Sequence, residues 1–222
     1  AESIWNDLDV LNLLTQLVNK SLVTMDEEGD EPRYRLLETV RQYARDKLME
    51  SGEAELMRNR HLDYFIQLTE SAEKDLIGYT ALGWIYRLEA EYDNLRATFE
   101  WGMENNVIAI LKMASSLQYF WYRRGYETEG RKWIEEALEH MQGLPAVEGE
   151  AARERIAITA KAWQAMSFLA SSQGDFSSSI AASRKCEELA RQTGDKRLLA
   201  TVLAFGASSK MMSGNSDYAD SV

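Results

Sequence analysis

The stretch RYRLLETVRQYARDKL, residues 33–48, changes hydrophobic period at its midpoint, and that change decides how the chain is read. Arg33, Tyr34, Arg35 and Leu36 form a short strand-like run, whereas Val40, Tyr43, Ala44 and Leu48 recur at the spacing of one helical face. Just upstream, Leu22, Val23, Thr24 and Met25 make a second strand-like run. An acidic turn over 26–32 joins the two, with Gly29 supplying the bend. Farther back, Val10, Leu11, Leu14, Leu17 and Val18 line one side of a helix over about 8–18. Downstream, Gly52 is a natural stop for the second helix. The order is helix, hairpin, helix.

That order is the back half of a winged helix, so duplex DNA has to be weighed as a partner. The chain carries a formal net charge of −11. Residues 1–52 share in it, with 11 acidic against 6 basic side chains. A wing built from Asp26, Glu27, Glu28, Asp30 and Glu31 would repel phosphates instead of neutralising them. The charge therefore argues against DNA as the partner of this stretch.

With 222 residues, 45% hydrophobic and 27% charged, the chain can bury one elongated core or two compact ones. Two prolines and abundant Ala, Leu, Glu and Arg favour helix beyond the hairpin. Ala54, Met57, His61, Tyr64, Phe65, Leu68, Ala72 and Leu76 form one apolar stripe; Trp84, Leu88, Tyr92, Leu95 and Phe99 form the next. Turn signals fall at Gly78, Asn105 and Asn106, Gly125, Gly143 to Pro145, Gly174, Gly194 and Gly214. The expected division is a partial winged helix over 1–52, a linking helical region over 53–106 and helical repeats over 107–222. The fold class is mainly all-α: helix, β-hairpin, helix, followed by an α-solenoid.

Gly174 and Gly214 are forty positions apart with Gly194 midway, so each unit is two helices of four or five turns. Trp163, Met166, Ser167, Ala170, Gly174, Asp175 and Phe176 fall where a tetratricopeptide repeat places its large, small and turn residues, and a looser unit has Ala114, Leu117, Trp121 and Gly125. Stacked helix pairs leave the first helix of each pair on a concave face. By repeat spacing that face carries Lys112, Ser115, Tyr119, Tyr122 and Arg123, then Lys161, Gln164, Phe168 and Ser171, then Ala204, Ser208 and Met211. Tyrosine and arginine suit an anchor for a partner. The alternative is that Tyr119 and Tyr122 pack on a neighbouring helix and that Phe168 belongs to the core.

No catalytic constellation is legible. Neither HExxH, Cys-His metal spacing, GxSxG nor a GxxxxGK[ST] phosphate loop occurs, so no catalytic, metal or cofactor-binding residue is assigned. His61 lies on an apolar stripe, His140 lies near a helix C-terminus, and Cys186 reads as a small buried hydrophobe. One cysteine fits a reducing cytoplasm, and no apolar run approaches the length of a membrane span. The chain begins just before a helix and ends inside one, which reads as a fragment of a larger protein.

The run LNLLTQLVNKSLV, the hairpin and RYRLLETVRQYARDKL resemble the winged-helix segment that follows the nucleotide-binding core in bacterial STAND regulators, signalling ATPases related to plant resistance proteins. The stretch WIYRLEAEYDNLR, 84–96, and the stretch 121–138 are similar to the region that joins this winged helix to tetratricopeptide-like repeats in the same proteins. The resemblance implies a non-catalytic sensor in a signal-transduction ATPase or transcriptional regulator. A protein or small-molecule inducer on the repeats would act through the winged helix on an upstream nucleotide-binding domain of the same protein, with ATP or ADP held there and no cofactor in this chain. A passive repeat scaffold is the alternative. In the eukaryotic relatives a Met-His-Asp triplet places its histidine near bound ADP. The matching positions here are Leu36, Leu37 and Glu38, a candidate switch joint without the imidazole.

Overall fold

A computed structural model describes residues 7–26 and 32–213, and it divides into two compact units, 1–58 and 59–222. Among the described residues there are eleven helices and one hairpin. The sequence reading of a winged-helix fragment followed by stacked helices holds.

In the first unit, α1 (Asp7–Asn19) leads into β1 (Val23–Asp26), which pairs antiparallel with β2 (Arg33–Leu36), and α2 (Glu38–Glu50) follows. The register sets Val23 opposite Leu36 and Met25 opposite Tyr34. The acidic turn itself falls largely on 27–31, outside the described residues. The chain leaves α1 through Ser21 at φ 56°, with Ser21 N–H donating to Val18 O and Leu22 N–H to Leu17 O. This is the hydrogen-bond pattern of a left-handed helix cap, usually given to glycine. Helix α2 ends as expected, with Gly52 at φ +75°.

The expected core of this unit does not close. Val23 is its one buried side chain among the described residues, while Val10, Leu11, Leu17, Leu36, Leu37 and Tyr43 are all more than a third exposed. Two helices and a hairpin of this size have too little interior to cover their own apolar faces.

In the second unit, the remainder of α3 (Ala54–Glu73) precedes α4 (Ala81–Ala90), α5 (Tyr92–Asn105), α6 (Val107–Ser116), α7 (Gln118–Arg124), α8 (Glu127–Gln142), α9 (Gly149–Ser172), α10 (Phe176–Thr193) and α11 (Lys196–Met212). The turn signals fall between helices as expected, except Gly214, which lies outside the described residues. Two further breaks, at Glu91 and Leu117, carry no glycine or proline. The core runs through Phe65, Leu88, Leu95, Phe99, Ile110, Leu117, Phe120, Trp121, Ile134 and Leu169. Tyr64, on the expected stripe, is 53% exposed.

Polar groups fix how the helices meet. Arg96 grips Glu129 through Nε at 2.7 Å and Nη2 at 2.8 Å, and its guanidinium lies 4.5 Å from the Tyr92 ring centroid. Tyr92 stacks on Tyr126 and accepts from the Trp121 indole N–H at 3.2 Å. Arg124 donates to Glu89 at 2.8 Å, as does the Tyr126 hydroxyl, and these bonds hold the Glu89 carboxyl below its ordinary range. The stretch WIYRLEAEYDNLR thus joins α4 and α5 to α7 and α8 within one unit.

Candidate functional site

Two helix starts and one break set the walls of the main groove, and a third start fixes the neighbouring α10. Asn106 caps α6 by accepting from Ala109 N–H at 3.2 Å, and Asp195 caps α11 by accepting from Arg197 and Leu198. Asp175 caps α10 through Ser178 N–H and also pairs with Arg131 at 2.7 Å. The break at Leu117 separates α6 from α7, and Gly125 ends α7 in the left-handed region at φ +75°.

Between α6, α7, α9, the start of α11 and the last turn of α3 lies a groove of about 940 Å³. Glu73 reaches into it and accepts from Lys161 Nζ at 2.6 Å and from Ser116 Oγ at 3.0 Å. Gln118 and Gln164, both buried, exchange side-chain amide hydrogen bonds at 3.4 and 3.2 Å. A reciprocal pair uses one donor and one acceptor lone pair on each amide, so each keeps a second donor and a second lone pair. Lys112 pairs with Glu154 at 2.9 Å, with both partners substantially exposed. Glu70, Lys74 and Arg197 add further charge to the lining.

Five of the nine residues in the first two expected rows of the concave face line this groove: Lys112, Ser115, Tyr119, Lys161 and Gln164. Ser115 is fully buried and gives its proton to Leu111 O. Tyr122 and Phe168 join Tyr119 in an aromatic cluster, with Phe168 centroids 4.9 Å from Tyr119, 5.4 Å from Tyr122 and 5.8 Å from Phe205. Phe168 packs on the core, Tyr119 is partly buried and Tyr122 is half exposed. Packing therefore accounts for Phe168 and in part for Tyr119, while Tyr122 keeps an open face to solvent. Arg123 is exposed at the end of α7. Ser171 accepts from Ser209 at 3.3 Å, within a ladder of hydroxyls that includes Ser167, Ser179 and Ser183.

The expected third row, Ala204, Ser208 and Met211, does not line the groove. Asp195, Arg197, Leu198 and Thr201 from the first turns of α11 do. Repeat spacing placed α11 as though its full length faced inward. The contribution of α3 was also missed, because Glu73 and Lys161 are 88 positions apart and no local pattern relates them.

At the candidate joint, Leu36 and Leu37 are 43% and 51% exposed, so neither enters a core among the described residues. Leu37 O accepts from Arg41 N–H at the start of α2, and the Glu38 carboxylate pairs with Arg41 at 2.6 Å in the first turn, where negative charge offsets the helix dipole. Two aliphatic side chains and an anion do not fit a diphosphate.

His61 is held by burial below its ordinary pKa and lies 3.1 Å from Thr98 Oγ1. Thr98 gives its one hydroxyl proton to Asn94 O, so His61 Nδ1 is the donor to Thr98. His140 Nδ1 donates to Glu136 O in the last turn of α8. Cys186 is fully buried, and desolvation, followed by the charges of Asp195 and Glu187, pushes its thiol up to about 12. Among the described residues no helix is long and apolar enough to cross a membrane.

The fold and groove define a winged-helix fragment followed by a stack of helices with a polar inner face. Residues 4–49 match the winged helix-turn-helix domain. The chain is similar to proteins of Mycobacterium bovis and of two strains of Mycobacterium tuberculosis that carry the provisional name of HTH-type transcriptional regulator; each is 40% identical over 218 residues, covering 94% of this chain. The chain spans about a quarter of the length of these curated relatives, 24% in each case. No solved structure matches it.

Proposed function

We propose that this chain is the non-catalytic sensor segment of an HTH-type transcriptional regulator of the STAND class. Tetratricopeptide-like repeats in the second unit take up a protein or small-molecule inducer, and the winged helix relays its binding to a nucleotide-binding core outside this chain. ATP or ADP belongs to that core. The observation that carries the reading is the groove along α6, α9 and α11, whose floor is built from the Glu73, Lys161, Ser116, Gln118 and Gln164 polar groups. Resemblance of 33–48 to STAND winged helices and the similarity to HTH-type regulators support the assignment of class.

A sensor works only if the inducer binds one arrangement of the regulator better than the other. The test is therefore made in the full-length regulator with Lys74→Ala and Arg197→Ala together, two exposed positions that line the groove. Loss of inducer-dependent transcription with normal protein levels is the expected result. Lost recruitment of a partner with unchanged activation identifies a passive scaffold and refutes the relay.

Duplex DNA is the second reading, favoured by the winged helix-turn-helix match. Against it, Arg41 and Lys47 on α2 are paired with Glu38 and Glu50. A DNA reader predicts duplex binding that weakens steeply with salt, and a flat titration at low salt removes it.

A further inference from the structure

A second cavity, of about 350 Å³, opens between α8, α9 and α10. It lies on the other side of α9 from the main groove. Arg155, Thr159 and Trp163 line it, whereas Ala157, Lys161 and Gln164 line the groove. Arg155, Thr159 and Trp163 are spaced by four and so share one helical face, and Lys161, two positions from both Thr159 and Trp163, faces the opposite way.

The chemistry of this cavity is two-sided. Leu138 and Met141 from α8, Trp163 from α9 and Leu189 from α10 give an apolar wall. Cations stand at its edge. Lys185 holds its ammonium over the Trp163 ring, 4.4 Å from the centroid. Arg155 donates through Nη1 to Pro145 O at 2.8 Å, but its Nε–H is buried and has no hydrogen-bond partner among the described residues. A buried charged donor left without an acceptor is costly, and Nε with the neighbouring Nη2 forms the edge of the guanidinium that matches a carboxylate in bidentate geometry. Glu188 also lines the cavity and sets a limit. With two cations against one anion, the site favours a single negative charge and disfavours a dianion.

We propose that this cavity binds a small monocarboxylate with an apolar body, an aliphatic or aryl acid, whose carboxylate is received by Arg155 and Lys185 and whose body packs on Trp163, Leu138 and Met141. The volume falls in the range of small-molecule sites, which typically pair an apolar lining with a few placed polar groups. The ligand carboxylate supplies the acceptor that Arg155 Nε lacks. The site is separate from the groove, so it stands or falls independently of the sensor reading.

The test titrates the 222-residue chain with sodium octanoate, 3-phenylpropionate, octanamide and inorganic phosphate, reading the Trp163 indole resonance by NMR and heats by calorimetry. Saturable binding of one or both acids in the millimolar range or tighter is expected, with octanamide at least tenfold weaker and phosphate inert. Arg155→Met should weaken the acids at least tenfold and Lys185→Met severalfold, each with an unchanged circular dichroism spectrum. Lys185 is exposed, so its variant remains informative if Arg155→Met fails to fold. The proposal is overturned if neither acid saturates by 10 millimolar, if octanamide binds as well as octanoate, or if Lys185→Met leaves acid affinity unchanged.

Discussion

Gly130 is the position at which a single added methyl tests the packing of the second unit most sharply. It is buried in α8 against Trp121, and a Cβ built there would meet the indole at 2.3 Å from Cε3, 2.5 Å from Cδ2 and 3.0 Å from Cζ3. The indole has little room to retreat. Trp121 is fully buried, lies 5.9 Å from the Phe99 ring and donates its N–H to Tyr92 Oη. Overpacking of this kind costs about 1–3 kcal/mol, and a rigid ring at these distances places Gly130→Ala at the upper end. Alanine regains about 1 kcal/mol over glycine in a helix interior, so the net loss is about 2 kcal/mol. Gly83 in α4 is the control. It is exposed and a Cβ there meets nothing within 4 Å, so Gly83→Ala should gain about 0.5–1 kcal/mol from helix propensity alone. For a domain of this size each kcal/mol moves the midpoint by about 2–4 °C, so thermal melts should show Gly130→Ala falling by about 4–8 °C while Gly83→Ala rises by a few degrees. Adding Trp121→Phe to Gly130→Ala should recover part of the loss, a coupling measurable in a double-mutant cycle. The reasoning is refuted if Gly130→Ala melts at or above the unmodified chain.

Two further outcomes follow from the charges and the thiol. The Arg131 ion pair and the Ser178 N–H hold the Asp175 carboxyl at about 2, below its ordinary value, so its contribution is complete above about pH 4 and is lost as pH falls toward 2. Arg131→Met should therefore reduce stability at neutral pH and flatten the acid limb of a stability profile; an unchanged profile contradicts the assignment. Cys186, fully buried with its thiol pushed up to about 12, should react with a thiol-specific dye only as fast as the second unit opens. Prompt labelling of the native protein at pH 8 rules this placement out.

Much of the candidate groove was legible because repeat spacing on a helix fixes which residues share a face. Lys112, Tyr119, Lys161 and Gln164 follow from that spacing alone. Glu73 does not, since its acidic side chain looks like any solvated helix residue until the fold brings Lys161 and Ser116 to it. The breaks at Glu91 and Leu117 were equally hidden, because no residue there carries the backbone signature of a turn.

By itself the sequence determined the helix, hairpin and helix around 33–48, the helical character of the rest and the turns marked by glycine and asparagine, because periodicity and backbone preference act locally. Only the tertiary structure decided which faces found partners. Leu36 and Leu37 look like core residues by type, yet their small unit has no interior to receive them, while the buried Gln118 and Gln164 are tolerated because each amide gives the other a hydrogen-bond partner. Burial depends on what stands opposite a residue, and that is a property of contacts between segments distant in the chain.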